Sequence, residues 1–515
     1  MNQPTEQLTS KQLLAFFAMV IGMFMAILDI QIVASSLSVI GAGLSASTDE
    51  LSWVQTSYLI AEVIIIPITG FLARLLSTRI SYFIAALGFT LMSVFCSISW
   101  NIESMILFRS LQGFFGGAMI PTVFSTIYII FPKSKRPIVT VVVGLVVTVA
   151  PTLGPTLGGY ITEISSWHFM FLVNVVPGIF VSIIVLLYAD FDKPNYNLIK
   201  NFDLLGISLM IVTLGALQYI LEEGAKRGWL DDNLLLFLII LVVVCFIGLL
   251  IREMTFINPI LDLTAFKNKD FTFGCVYSFA IGIGLYGAVY LLPLFLFIVA
   301  GFNTVQIGLT MMVTGIAQFV SAPIAGKMLS TNIDLRIMLA IGLGMFSLGC
   351  YLNSFLTPDS KFEEFVLPQI IRGLSLMFCF LPTNNIALGS MSKEHVQNAS
   401  GLYNLTRNLG GAIGIALINT MLTDNTKIFE QYLSENIAYS SPIAIMNLEF
   451  LNNILDGKVA DPVGASYFLL KNMINRDAFI IAINNVFVII SLLFVGSMIF
   501  LPFTSNSKDS SGQAH

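Results

Sequence analysis

The stretch from Ile138 to Ile161, IVTVVVGLVVTVAPTLGPTLGGYI, carries no charged residue over a length that matches the thickness of a lipid bilayer. A helix rises about 1.5 Å per residue, so roughly 20 apolar residues cross about 30 Å of hydrocarbon, where only internal hydrogen bonds satisfy the backbone. Two prolines, Pro151 and Pro155, remove backbone donors and bend such a helix. Gly154, Gly158 and Gly159 let a second helix approach closely. A bent, smooth helix of this kind is read as a gate or seal, in preference to a merely kinked packing helix.

The rest of the chain is built for the same solvent. Of 515 residues, 56% are apolar and 11% charged, against about 25% charged in a typical water-soluble domain. Comparable runs begin near Leu13, Ser52, Ser81, Ser104, Phe169, Leu204, Asn233, Thr272, Gln306, Ile337, Val366, Ala399 and Ala478. With the run at Ile138 they predict fourteen spans, an all-α polytopic membrane protein. The distribution of Lys and Arg tests the count. With the N-terminus inside, fifteen fall in cytoplasmic segments and seven outside, the bias expected of a correct topology with both termini cytoplasmic. The first run, after Lys11, is read as an uncleaved span. The outer segment 424–476 mixes apolar and acidic residues at helical spacing. It is expected to form short amphipathic helices on the membrane or over the outer mouth, with a docking surface for another protein as the sharper alternative. All five cysteines lie in apolar runs, and no disulfide is expected.

Several features recur at nearly constant offset. Gly70 and Arg74 in span two match Gly326 and Lys327 in span ten. Arg109 with Gly113 matches Arg372 with Gly373, and Gly158-Gly159 matches Gly410-Gly411. The offsets are 256, 260 and 252. They predict a six-helix unit over 1–190, two linker helices over 191–270, a second unit over 271–503 and a cytoplasmic tail over 504–515. Paired bundles about a central cavity are how many secondary transporters alternate access.

Ionisable residues inside apolar runs are few: Asp29, Glu62, Arg109, Arg372 and Arg407. Each costs about 2.5–3.5 kcal/mol at a helix centre on insertion scales, so each is expected to be paired or to face water. Asp29 and Arg109 either neutralise each other or act as a switch that opens when the acid is protonated; the two readings are compatible. Glu62 has no basic partner in its own span, and burial disfavours its charged form. Glu62 and Asp29 are therefore the candidates to carry a proton or attract a cationic substrate. Arg372 and Arg407 are read as structural or gating groups of the second unit.

Gly282-Ile-Gly284-Leu-Tyr-Gly287 fits a dinucleotide-binding pattern, but no strand precedes it and no ribose-binding acid follows. These glycines are read as helix-packing positions beside Tyr277, Tyr286 and Tyr290, which are candidates to line a cavity. No Walker loop, metal-ligand cluster or Ser/His/Asp constellation is present. Neither a cofactor nor a metal, and neither an enzymatic activity nor a nucleic-acid partner, is expected.

Taken together, these motifs resemble the major facilitator superfamily. The Ala150–Gly159 stretch is similar to its antiporter motif, and Arg109-Ser-Leu-Gln112-Gly113 to its span-four motif. Leu28-Asp29 with Ile32-Val33 resembles the span-one signature of the fourteen-span drug:proton antiporters. Trp53–Tyr58, Trp167–Asn174, the segment 258–263 and Asn404–Gly411 extend the likeness along almost the whole chain. The resemblance implies proton-coupled export of hydrophobic, drug-like compounds across the inner membrane, with Asp29, Arg109 and Gln112 in the coupling region. It also implies a periplasmic adaptor and an outer-membrane channel as partners. The loop after span two departs from the family pattern: Arg74 stands where an acid is usual, and Ser77 where glycine is. Alternatives to a multidrug exporter are a proton-driven exporter of one metabolite or siderophore and, from another class, a channel or membrane receptor.

Overall fold

Uncharged runs bounded by capping residues set the helices. The computed structural model describes residues 9–34, 36–201, 203–256, 261–331, 333–392, 395–436, 442–459 and 461–504. The elements are α1 (Ser10–Ala34), α2 (Leu37–Leu44), α3 (Thr48–Leu76), α4 (Thr78–Ser97), α5 (Ile102–Ile130), α6 (Arg136–Ile164), α7 (His168–Leu172) and α8 (Val175–Tyr188). Then come α9 (Leu204–Arg227), α10 (Asn233–Thr255), α11 (Lys269–Ile298), α12 (Thr304–Ser330), α13 (Leu335–Leu352), α14 (Phe362–Gly389), α15 (Val396–Asn436), α16 (Pro442–Leu455) and α17 (Pro462–Ser497). Asn101 caps α5, accepting from the Ser104 amide at 3.0 Å, and Asn303 caps α12, accepting from the Gln306 amide at 2.9 Å. Such caps satisfy donors that the first turn leaves open. No strand occurs among the described residues.

Thirteen helices among the described residues are long and apolar enough to cross a bilayer. The run expected from near Ala399 falls outside that set. It lies in the 41-residue α15, where Asn404, Arg407 and Asn408 lower the hydropathy. These polar residues are turned into the protein, so composition understates how well the helix is sheltered. Segment 424–476 also differs from expectation. Instead of several short helices, α15 continues to Asn436 and α17 starts at Pro462, with α16 packed on α17. No Gly or Pro interrupts residues 415–441 or 465–495, so nothing stops either helix near the membrane boundary. Residues 258–260 of the family-like segment and the tail from 505 lie outside the described residues.

The repeat seen in the sequence has a matching geometry. A Cβ on Gly113 of α5 would sit 2.3 Å from the carbonyl oxygen of Tyr58 on α3. A Cβ on Gly373 of α14 would sit 2.4 Å from that of Thr314 on α12. Tyr58 and Thr314 are 256 residues apart, and the glycines 260. Two helix pairs thus close through the same small-residue contact in the same place. One apolar cluster draws only on the second half, from Tyr277 to Phe494. Helices α6 and α12 run along each other, with Thr156 against Gly308 and Val141 against Gly326. Helices α9 and α10 flank this body. α9 packs on α3 and α15, while α10 leaves Phe237, Val244 and Ile251 about 60% exposed, a face fit only for lipid.

Candidate functional site

Asp29, on α1, is buried with its side chain fully screened from solvent. Arg109 of α5 donates from Nη1 to its Oδ2 at 2.5 Å and to Gln112 Oε1 at 2.7 Å. Gln112 Nε2 donates to Asp29 Oδ1 at 3.2 Å and to Ser93 Oγ at 2.8 Å. Asn174, between α7 and α8, donates to Asp29 Oδ1 at 2.7 Å. The guanidinium also lies 4.3 Å from the centre of the Tyr58 ring. Two amides and a guanidinium therefore hold this carboxylate inside the first half, and a buried pair with this many hydrogen bonds can offset its desolvation. The sequence brings Asp29, Arg109 and Gln112 into consideration; Asn174 closes the family-like segment Trp167–Asn174 without a role assigned to it, and Ser93 carries no signal.

Glu62 has different surroundings. It is 3% exposed and accepts one hydrogen bond among those recorded, from Asn408 Nδ2 of α15 at 3.2 Å. Its partner is thus on the other half of the molecule. Arg407, the residue before Asn408, lies within electrostatic reach. It donates to Asn404 Oδ1 at 2.6 Å and stacks near Phe124 and Phe380, but its Nε and Nη1 find no acceptor among the described residues. Arg372 occupies the place of Arg109 in the second half without an acidic partner among the described residues. It reaches only the Ala288 carbonyl and Thr314 Oγ1, each at 3.5 Å.

A cavity of about 600 Å³ lies between the halves. α1 and α3 contribute Gln31, Gln55 and Leu59; α11 contributes Tyr286, Tyr290 and Phe297; α15 contributes Asn419. Pro155 of the α6 motif lines it, and Gly154 packs on Gln31, where a Cβ would meet the Gln31 Cβ at 2.2 Å. Pro151, Gly158 and Gly159 are buried in the same helix. Asp29 is not in the wall. At 100° per residue it points about 200° away from Gln31 around α1. Glu62 lies one turn beyond Leu59, beneath the floor. Of the three tyrosines considered, Tyr286 and Tyr290 line the cavity and Tyr277 does not. Nine residues before Tyr286, it faces the opposite side of α11 and is fully buried. The sequence reading missed Glu222, which reaches the cavity from α9. A linker helix gave no reason to look for a lining carboxylate.

The cavity occupies the half of the molecule remote from Arg74, Arg79, Arg136, Lys327 and Arg336, where helices α3, α4, α6, α12 and α13 begin or end. At that basic end the halves touch through polar bonds. Tyr128 Oη of α5 donates to Asn384 Oδ1 of α14 at 2.6 Å, and Ser400 Oγ of α15 to the Pro121 carbonyl at 2.7 Å. Asp192, in the segment after α8, accepts from the Thr78 amide at 2.9 Å, from Thr78 Oγ1 at 2.8 Å and from Gln397 Nε2 of α15 at 3.2 Å. Gly70 leaves room there, since a Cβ on it would lie 2.7 Å from the Gln397 carbonyl oxygen. Among the described residues no group of three or more His, Cys, Asp or Glu side chains is placed to hold a metal.

Comparison with known proteins agrees with this architecture. Residues 19–415 match the family model described as Major Facilitator Superfamily. The chain is 45% identical, over 79% of both chains, to the colistin resistance protein EmrB of Acinetobacter baumannii. It is 29% identical to the multidrug export protein EmrB of Escherichia coli over 91% of both. It is 30% identical to the fatty acid resistance protein FarB of Neisseria gonorrhoeae over 92% of both. The fold is shared with the proton:xylose symporter XylE, at TM-score 0.59 and 12% identity over 97% of this chain and 98% of that one. It is also shared with the human organic anion transporter MFSD10, at TM-score 0.58 and 9% identity over 97% and 100%. By sequence match and by fold, the chain belongs to the Major Facilitator Superfamily of membrane transporters.

Proposed function

We propose that this protein exports hydrophobic compounds of several kinds across the inner membrane in exchange for protons. Two six-span units, α1 and α3–α6 with the single span formed by α7 and α8, and α11–α15 with α17, rock about the cavity. The linker helices α9 and α10 bring the spans to fourteen, with both termini in the cytoplasm and the basic end inside. The observation that carries this reading is one-sided access: a large cavity between the halves at one end, and polar contacts joining them at the other. In this orientation the site is open outward and sealed inward by Asp192, Tyr128 and Asn384.

Glu62 is the proton site of this scheme. A charge there has one hydrogen bond, from Asn408 across the contact between halves, with Arg407 in electrostatic reach, so protonation breaks few bonds and changes the attraction between α3 and α15. Asp29, bonded to Arg109, Gln112 and Asn174, holds α1 against α5, so that the first half moves as a unit. The α6 motif, pressed on α1 and on α12, seals the pathway against leak. Arg372 and Arg407 position the second half. A periplasmic adaptor and an outer-membrane channel complete the path, with the exposed Tyr432, Phe450 and Phe468 of the α15–α17 extension beside them.

Uptake of a panel of dyes into everted vesicles tests the reading. Uptake of several unrelated dyes is expected, collapsing on addition of a protonophore and falling at least about tenfold in Glu62→Gln. Uptake that survives the protonophore would remove proton coupling; uptake of one compound only would point to a dedicated exporter.

A further inference from the structure

We propose that Glu222, supplied by the linker helix α9, makes the cavity a receptor for amphiphilic organic cations. The inference rests on the cavity being the transport site, and adds the charge of the compound it takes. Among the described residues, Glu222 is the sole Asp, Glu, Lys, Arg or His in the cavity wall. Its neighbour Glu223 binds the local cations directly, Lys226 Nζ donating to Glu223 Oε1 at 3.0 Å and Arg227 Nε to Glu223 Oε2 at 3.3 Å, while Lys226 stands only within electrostatic reach of Glu222. Adjacent helix residues point about 100° apart, so the two acids face different surroundings. Glu222 receives only a long hydrogen bond, from Gln218 Nε2 at 3.4 Å, and forms no ion pair among the described residues.

The remaining wall suits the same ligand. Tyr286, Tyr290 and Phe297 offer ring faces, and Tyr290 lies within electrostatic reach of Glu222. A carboxylate beside aromatic rings in a partly dry cavity attracts a large, weakly hydrated cation on two counts, charge and ring quadrupole. An anion of the same shape meets repulsion on both. The arrangement therefore selects by charge and leaves shape loosely specified, because Gln31, Gln55 and Asn419 offer adaptable donors and acceptors. The linker helices then have a role in recognition as well as in joining the halves.

Tetraphenylphosphonium and tetraphenylborate, alike in shape and opposite in charge, are the probes. Equilibrium binding is measured on the purified full-length protein, with uptake of both ions into everted vesicles alongside. The wild type is expected to bind the cation at least about tenfold more tightly. Glu222→Gln should weaken cation binding about tenfold or more without weakening the anion, and Glu222→Asp should restore part of the preference. A folded Glu222→Gln protein that keeps full cation affinity overturns the assignment while leaving the export reading intact. Equal affinity of the wild type for both ions overturns it also, whether or not the variant folds. Absence of uptake for either ion and for every dye in the panel removes the export reading, and this inference with it.

Discussion

Ser77 joins α3 to α4 with φ 75° and ψ 153°, a region that residues with a Cβ rarely enter and that costs about 1–3 kcal/mol. The family pattern has glycine at this point, and the geometry gives the reason: the chain must reverse within one residue so that Thr78 can meet Asp192. Serine pays in strain what glycine would not. Ser77→Gly is expected to raise thermal stability in detergent by a few degrees, in line with about 1 kcal/mol or more of relieved strain, set against the greater freedom of glycine in the unfolded chain. Thermal unfolding followed by tryptophan fluorescence checks this; an unchanged or lower midpoint would mean the turn is not strained. The other departure, Arg74 in place of an acid, is met differently. Arg74 lies within electrostatic reach of Asp262, and the start of α4 takes its carboxylate from Asp192, both far along the sequence.

At the scale of helices, the basic end is closed by polar contacts in which α5 and the segment after α8 meet α14 and α15. Asp192 ties the start of α4 to Gln397, and Tyr128 ties α5 to Asn384. Removing both, in Asp192→Asn with Asn384→Ala, should loosen the basic end while leaving each half folded. Spin labels at Lys133 and Ser390 report the separation of α5 from α14. A longer-distance component is expected in the double variant, and an unaltered distribution would show that these bonds do not hold the end closed. What was legible in the sequence divides at this scale. Apolar runs located the helices, and Gly113 and Gly373, matched in the sequence repeat, each stand where a second helix backbone approaches. Bonds between halves were not legible, because Asp192–Gln397 and Glu62–Asn408 join residues 205 and 346 positions apart and neither pair has a motif. The mistaken placing of Tyr277 has a plain cause: three tyrosines close in sequence need not share a helix face.

For the whole molecule, the cavity, the seal opposite it and the single bond from Asn408 to Glu62 form one device. Asp29 and Arg109 keep the first half rigid, and the matching position of the second half, Arg372, has no acid. In the proposed scheme the charge that changes between states is Glu62, at the contact between halves rather than inside either one. Neutralising Glu62 should fix the molecule in the conformation that its protonated form prefers. The decisive measurement follows the distance between spin labels at Val39 and Val305, on either side of the cavity mouth, across a pH series in lipid nanodiscs. In the wild type the distance distribution is expected to shift as pH falls, and in Glu62→Gln to remain at the acid-side distribution throughout. A Glu62→Gln protein whose mouth still opens and closes with pH as the wild type does would contradict the account.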